Sequence, residues 1–134
     1  MFDPNRIPAV TAIEAQRRLA AAADGPVDKA PDAGDLVPLL VDVREVHEIV
    51  RARAVGVVIM PLSTFMIRHQ ELPKDRPLLM ICRTGQRSAQ ATAFLMANGW
   101  MDVTNVAGGT VSWEQSGLEI RSGPLAPGEG DLPG

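Results

Sequence analysis

Leu78-Leu79-Met80-Ile81-Cys82-Arg83-Thr84-Gly85-Gln86-Arg87-Ser88 joins an apolar run to a lone cysteine and then to a polar stretch with one glycine. Residues 78–81 are apolar without alternation, as in a strand covered on both faces. Residues 83–87 read as a tight loop, with Gly85 at the curve where a Cβ would crowd. From Ser88 an alanine-rich segment runs to Asn98 as a helix, with Gly99 in the C-cap position. Strand, tight loop and helix in that order turn backbone N–H groups toward whatever occupies the strand's end. Here that is Cys82, and the helix N-terminus together with Arg83 and Arg87 favours its thiolate form. The segment predicts a sulfur nucleophile that meets an anionic substrate.

The flanking sequence alternates in the same way. Thr11 and Glu14 form a capping box before a helix over 12–23, which Asp24-Gly25-Pro26 ends. Residues 24–35, rich in Pro, Gly, Asp and Lys, read as a surface-loop insertion. Strands are expected over 36–43 and 55–60, with a short helix over 45–51 between them. A helix over 64–71 capped by Ser63, a strand over 103–106 and a short helix over 111–116 complete the pattern. This alternation gives an α/β fold: a parallel sheet of about five strands with helices on both faces. In such sheets sites lie at the carboxyl ends of strands, where the segments 42–45 and 82–87 and Pro61 all fall. Residues 1–121 read as one domain, and the Gly- and Pro-rich segment 122–134 as a loosely ordered tail.

The 134 residues are 46% hydrophobic, enough for one core. A net charge of −3, 4% aromatics and no Tyr exclude a global basic field and a base-stacking platform, so nucleic acid is not an expected partner. One cysteine excludes an internal disulfide and a multi-cysteine metal site, and fits a reducing compartment. The start shows no secretory pattern and no apolar run reaches membrane-spanning length, so a soluble cytoplasmic protein with no membrane partner is expected.

Each feature also has a plainer reading. A lone cysteine ending a buried strand is most often a small apolar residue. A glycine and two arginines directly after it serve no core purpose, and this tips the balance toward a reactive thiol. A papain-like hydrolase needs a histidine against the thiol. His47 and His69 lie instead on expected helices, read as an exposed and a half-buried residue. Arg44, Arg51 and Arg53 read as readily as a solvated helix face as the rim of an anionic site. Phe65-Met66-Ile67 cannot all fit one apolar stripe. One is expected to be exposed, read first as an ordinary surface residue and second as a contact for a homodimer or another partner.

The loop C-R-T-G-Q-R-S at 82–88 resembles the active-site loop of the rhodanese family of sulfurtransferases. L-V-D-V-R-E at 40–45, V-G-V-V-I-M-P-L at 55–62 and N-V-A-G-G-T-V-S-W at 105–113 resemble further segments of that family in the same order. The resemblance spans residues 36–120. It implies a rhodanese-like fold, with Cys82 accepting sulfur as a persulfide and Arg83, Thr84, Gly85, Gln86, Arg87 and Ser88 wrapping the terminal sulfur. Asp42 and Arg44 match positions that brace the site from the neighbouring strand, Gly108 and Gly109 the turn before the last helix, and Trp113 a residue packing that helix onto the core. Many members read G-H-I where this chain has Ala52-Arg53-Ala54, so Arg53 has to do differently whatever that histidine does.

The implied chemistry is double displacement. The Cys82 thiolate takes the sulfane sulfur of thiosulfate or a persulfide, a small anionic donor, and passes it to cyanide, a thiol or a carrier protein. No cofactor and no metal are expected. With no second cysteine, the persulfide must be discharged from outside. The alternatives are a persulfide carrier or non-catalytic interaction module, and, less favoured, a cysteine-dependent phosphatase or arsenate reductase. Those oxyanion loops hold one residue more between cysteine and arginine than the four between Cys82 and Arg87. The shorter ring suits a single sulfur atom.

Overall fold

A computed structural model describes residues 7–23 and 37–133, and the insertion expected over 24–35 lies outside the described residues. The elements are β1 (Ala9–Val10), α1 (Ala12–Ala23), β2 (Leu39–Asp42), α2 (Val46–Arg51), β3 (Arg53–Ala54), β4 (Val58–Ile59), α3 (Leu62–Arg68), β5 (Leu78–Ile81), α4 (Gln86–Ala97), β6 (Val103–Val106), α5 (Gly109–Gln115) and β7 (Ile120–Arg121). A 3₁₀ turn at His69–Glu71 follows α3.

Five strands form one sheet in the order β1-β6-β5-β2-β4, every neighbouring pair parallel. Successive side chains of a strand point to opposite faces, and here both faces are covered. Leu39, Val41, Leu78, Met80 and Cys82 share one core cluster with Phe65 of α3 and Leu95 of α4. Leu40, Leu79 and Ile81 share the other with Ala15 of α1, Ile49 of α2 and Trp113 of α5. The α/β fold with a five-stranded parallel sheet and helices on both faces is the expected one, and Trp113 packs the last helix onto the core at 3% exposure.

The strand order places the site. From β2 the chain moves outward to β4 at one edge, then returns to β5 on the other side of β2 and continues to β6. The order therefore reverses between β2 and β5, and a crevice opens there at the carboxyl ends of the strands. Asp42 and Ile81 are register partners at that point, and Cys82 is the next residue.

Several element ends differ from the sequence expectation, each for a local reason. The strand expected over 55–60 shrinks to β4, because Gly56 turns the backbone at φ +84. Residues 53–54 pair antiparallel with 120–121 instead. α3 starts at Leu62 rather than after a Ser63 cap, since the Leu62 N–H donates to the Val43 carbonyl. The Ser63 hydroxyl donates across to Glu45 at 2.7 Å. α4 starts at Gln86, ahead of Ser88, because Gly85 adopts φ +99 as its N-cap. Of the apolar triplet only Phe65 is buried; Met66 is 66% and Ile67 85% exposed, so two of the three face outward rather than one.

The tail expected to be loosely ordered makes specific contacts. The Ile59 N–H of edge strand β4 donates to the Gly130 carbonyl at 2.8 Å. Leu125 joins one core cluster and Leu132 the other, so the tail wraps around the sheet edge. Arg53, 1% exposed, holds this strap. Its guanidinium donates to both Glu129 carboxylate oxygens and to the carbonyls of Ile49, Gly123 and Pro124. That is what stands in this chain where the family often has histidine. Arg53→Ala leaves a buried void and strands those acceptors. It is expected to lower the thermal unfolding midpoint by about 5 °C or more and to expose the tail to protease; an unchanged midpoint and cleavage pattern would argue against the strap.

Candidate active site

The cysteine loop is held from behind. The Thr110 N–H and hydroxyl of α5 both donate to the Cys82 carbonyl, at 2.8 and 3.0 Å, and the Val111 N–H donates to the Arg83 carbonyl at 3.1 Å. With those carbonyls drawn toward α5, the following N–H groups turn the other way, onto the sulfur. Gly109 makes the close approach feasible: at φ +57, a Cβ there would stand 2.4 Å from the Cys82 carbonyl oxygen. Gly85 abuts the same turn, where a Cβ would lie 3.0 Å from the Gly108 nitrogen.

The Gly85 N–H donates to Cys82 Sγ at 3.1 Å, and the Ser88 hydroxyl stands 3.3 Å from it. Burial pushes the Cys82 thiol up. The Ser88 hydroxyl and the N–H groups of Ser88, Gly85 and Thr84 outweigh it, so the thiol ionises below its ordinary range. The cysteine is 1% exposed, at the base of the loop rather than on an open surface.

Ser88 has one hydroxyl hydrogen and two acceptors. Asn105 Oδ1 lies 2.6 Å from its oxygen, and the Asn105 amide is oriented by donating Nδ2–H to the Gly85 carbonyl at 3.0 Å. Beside a neutral thiol the shorter bond to Asn105 holds that hydrogen. Beside a thiolate the charge-assisted bond to sulfur competes for it. Ser88→Ala is therefore expected to move the pH profile of Cys82 alkylation upward and to slow alkylation at neutral pH about tenfold; an unmoved profile would remove Ser88 from the ionisation of the thiol.

The two loop arginines part ways. Arg83 is exposed, and its side chain has no ion pair or hydrogen bond among the described residues. Arg87, expected to face the substrate as positive potential, forms a bidentate pair with Glu48 of α2 at 2.9 and 2.8 Å. Glu48 also accepts the Glu45 N–H at 3.0 Å in a capping box. Chiefly through the Arg87 hydrogen bonds, its pKa is lowered to about 2. Asp42 and Arg44 form a buried pair, closed by Arg44 Nη2 at 2.8 Å from Asp42 Oδ2 and from the Ala52 carbonyl. Thr84 and Gln86 are exposed on the loop. His47 is exposed. His69, expected half-buried on a helix, is buried in the 3₁₀ turn with Nδ1 on the Phe65 and Met66 carbonyls. Among the described residues no cluster of His, Cys, Asp and Glu fits a metal ion.

Glu48, Asn105 and Thr110 escaped the sequence reading. Glu48 had a signal, the Glu-x-x-Glu spacing at the start of α2. Asn105 had another, an amide side chain in the middle of an expected strand.

A family model for the Rhodanese-like domain matches residues 25–116. The chain belongs to this family. Among rhodanese-like relatives, a sulfurtransferase of Allochromatium vinosum is 42% identical over 82 residues, covering 61% of this chain and 77% of that protein. A putative sulfur carrier protein, YrkF, of Bacillus subtilis is 35% identical over 74 residues, covering 55% of this chain and 40% of that protein. A rhodanese-like domain protein of Staphylococcus aureus superposes with TM-score 0.65 at 28% identity, covering 87% of this chain and 100% of that one. A thiosulfate sulfurtransferase of Pseudomonas aeruginosa shares the fold at TM-score 0.72 and 21% identity, covering 90% of this chain and 21% of that one. No described helix of this rhodanese-like chain is long and apolar enough to cross a membrane.

Proposed function

We propose that the protein is a sulfurtransferase, acting as a single domain, in which Cys82 is the catalytic nucleophile. The carrying observation is the convergence of N–H groups and a hydroxyl on the sulfur of the chain's one cysteine. Its thiolate attacks the outer sulfur of a sulfane donor. The donor's sulfur–sulfur bond breaks, and sulfite leaves from thiosulfate or a thiol from a persulfide. Cys82 keeps the sulfur as a persulfide whose negative terminal atom sits among the loop N–H groups of residues 83–88. A thiol, a carrier protein or cyanide then takes it. Asp42 and Arg44 support the neighbouring strand end.

The likeness to a sulfurtransferase supports catalysis, and the likeness to a putative sulfur carrier supports a second reading, in which Cys82 is loaded but not turned over on small molecules. The pairing of Arg87 with Glu48 disfavours a phosphatase, because the arginine at the loop's closing position is already engaged by a carboxylate rather than turned toward a tetrahedral oxyanion. Intact-mass spectrometry after incubation with thiosulfate or a persulfide separates the readings. A gain of one sulfur on Cys82, discharged by cyanide with repeated turnover, is expected. Loading without turnover would make the protein a carrier, and no loading by either donor would overturn both.

A further inference from the structure

On the transfer reading given above, we infer that Glu48, by neutralising Arg87 beside the cysteine loop, makes an uncharged organic hydropersulfide rather than the thiosulfate dianion the donor this site accepts best.

Few uncompensated positive charges stand at the mouth. Arg83 contributes one positive charge with no ionic partner among the described residues. Arg87 and Glu48 cancel, joined by two hydrogen bonds. Arg44 is buried and cancelled by Asp42. The Glu45 carboxylate, next to this group, accepts from the Ser63 hydroxyl and adds one negative charge. Against these stands the Cys82 thiolate. Thiosulfate brings two further negative charges toward that thiolate, with one uncompensated guanidinium to meet them. A hydropersulfide brings at most one, as R–S–S⁻, and none in the protonated R–S–SH form, the one whose terminal sulfur is open to attack. The thiolate attacks its terminal sulfur and the S–S bond breaks. RS⁻ leaves and takes the proton from the transferred S–H, so the products are the Cys82 persulfide anion and RSH.

Glu48 is held in this role by its own support. The Glu45 N–H fixes its carboxylate, and the pair is only partly exposed, with side chains 24% and 36% accessible, so solvent screens it less than it would a surface pair. Glu48 acts on the donor through Arg87, as a positioning residue that sets specificity.

The test compares second-order rates of Cys82 loading, read by rapid-quench intact mass, from thiosulfate and from the hydropersulfide of 2-mercaptoethanol. The wild type is expected to load faster from the hydropersulfide. Glu48→Gln frees Arg87 and is expected to raise the thiosulfate-to-hydropersulfide ratio about tenfold, with a steeper salt dependence for thiosulfate. Arg87→Met leaves Glu48 alone and should lower the ratio by a similar factor, while the double variant returns it toward wild type. Loss of a merely structural pair would move both single variants the same way, and that result, or a wild-type preference for thiosulfate, would overturn the inference. Loading by neither donor would instead overturn the transfer reading itself.

Discussion

Cys82→Ser loses sulfur transfer by at least about a thousandfold, the scale seen when a covalent nucleophile is removed. The substitution is nearly isosteric, so the loop geometry survives; what goes is the ionisable, polarisable atom. A serine hydroxyl stays protonated among the same N–H groups, because its pKa lies far above that of a thiol. An oxygen is also a poor partner for a sulfane sulfur. No other cysteine in the chain could take over. The variant should fold with an unchanged unfolding midpoint and gain no mass from either donor. Retained thiosulfate:cyanide turnover in it would remove Cys82 from the centre of the chemistry.

Gly109→Ala carries the second large effect, on stability and on activity together. The new Cβ would stand 2.4 Å from the Cys82 carbonyl oxygen and 2.5 Å from that of Arg83, and both carbonyls are backbone atoms pinned by α5. Relief requires α5 or the cysteine loop to move. The positive φ of +57 adds a further conformational cost. Together these should destabilise the protein by roughly 2–4 kcal/mol, in the range of steric and backbone lesions. Any surviving folded protein should load sulfur slowly, since the N–H groups no longer converge. Gly117→Ala is the control: φ is +76, but no atom lies within 4 Å of its Cβ, so only the backbone cost of about 1 kcal/mol applies. Equal losses at the two positions would show that conformation, rather than the clamp on the loop, explains Gly109.

What the sequence disclosed follows from where single residues carry the information. The unbroken apolar run at β5, the glycine in the loop and the alanine-rich helix after it are local signals, and they sufficed for the α/β fold and for the loop around Cys82. The partners of that loop are not local. Arg87 finds Glu48 across 39 positions, Ser88 finds Asn105 across 17, and Arg53 finds Glu129 across 76. Pairings at such separations depend on strand order and register, which residue patterns alone leave open. The two-residue strands β1, β3 and β7 were invisible for a related reason: too short for any periodicity, they exist because a neighbour offers hydrogen bonds. The tail misled most plainly. Its glycine and proline content reads as disorder, yet Gly130 sits where the Ile59 side chain leaves no room for a Cβ, and the composition that suggests looseness is what lets the strap lie flat on the edge strand.

Hydrogen bonds from the loop outweigh burial and lower the pKa of the Cys82 thiol. Because the chain has one cysteine, the ultraviolet absorbance of its thiolate can be followed against pH without interference from another thiol. The midpoint is expected below that of a free thiol in solution; a midpoint at or above it, as burial alone would produce, would contradict the account.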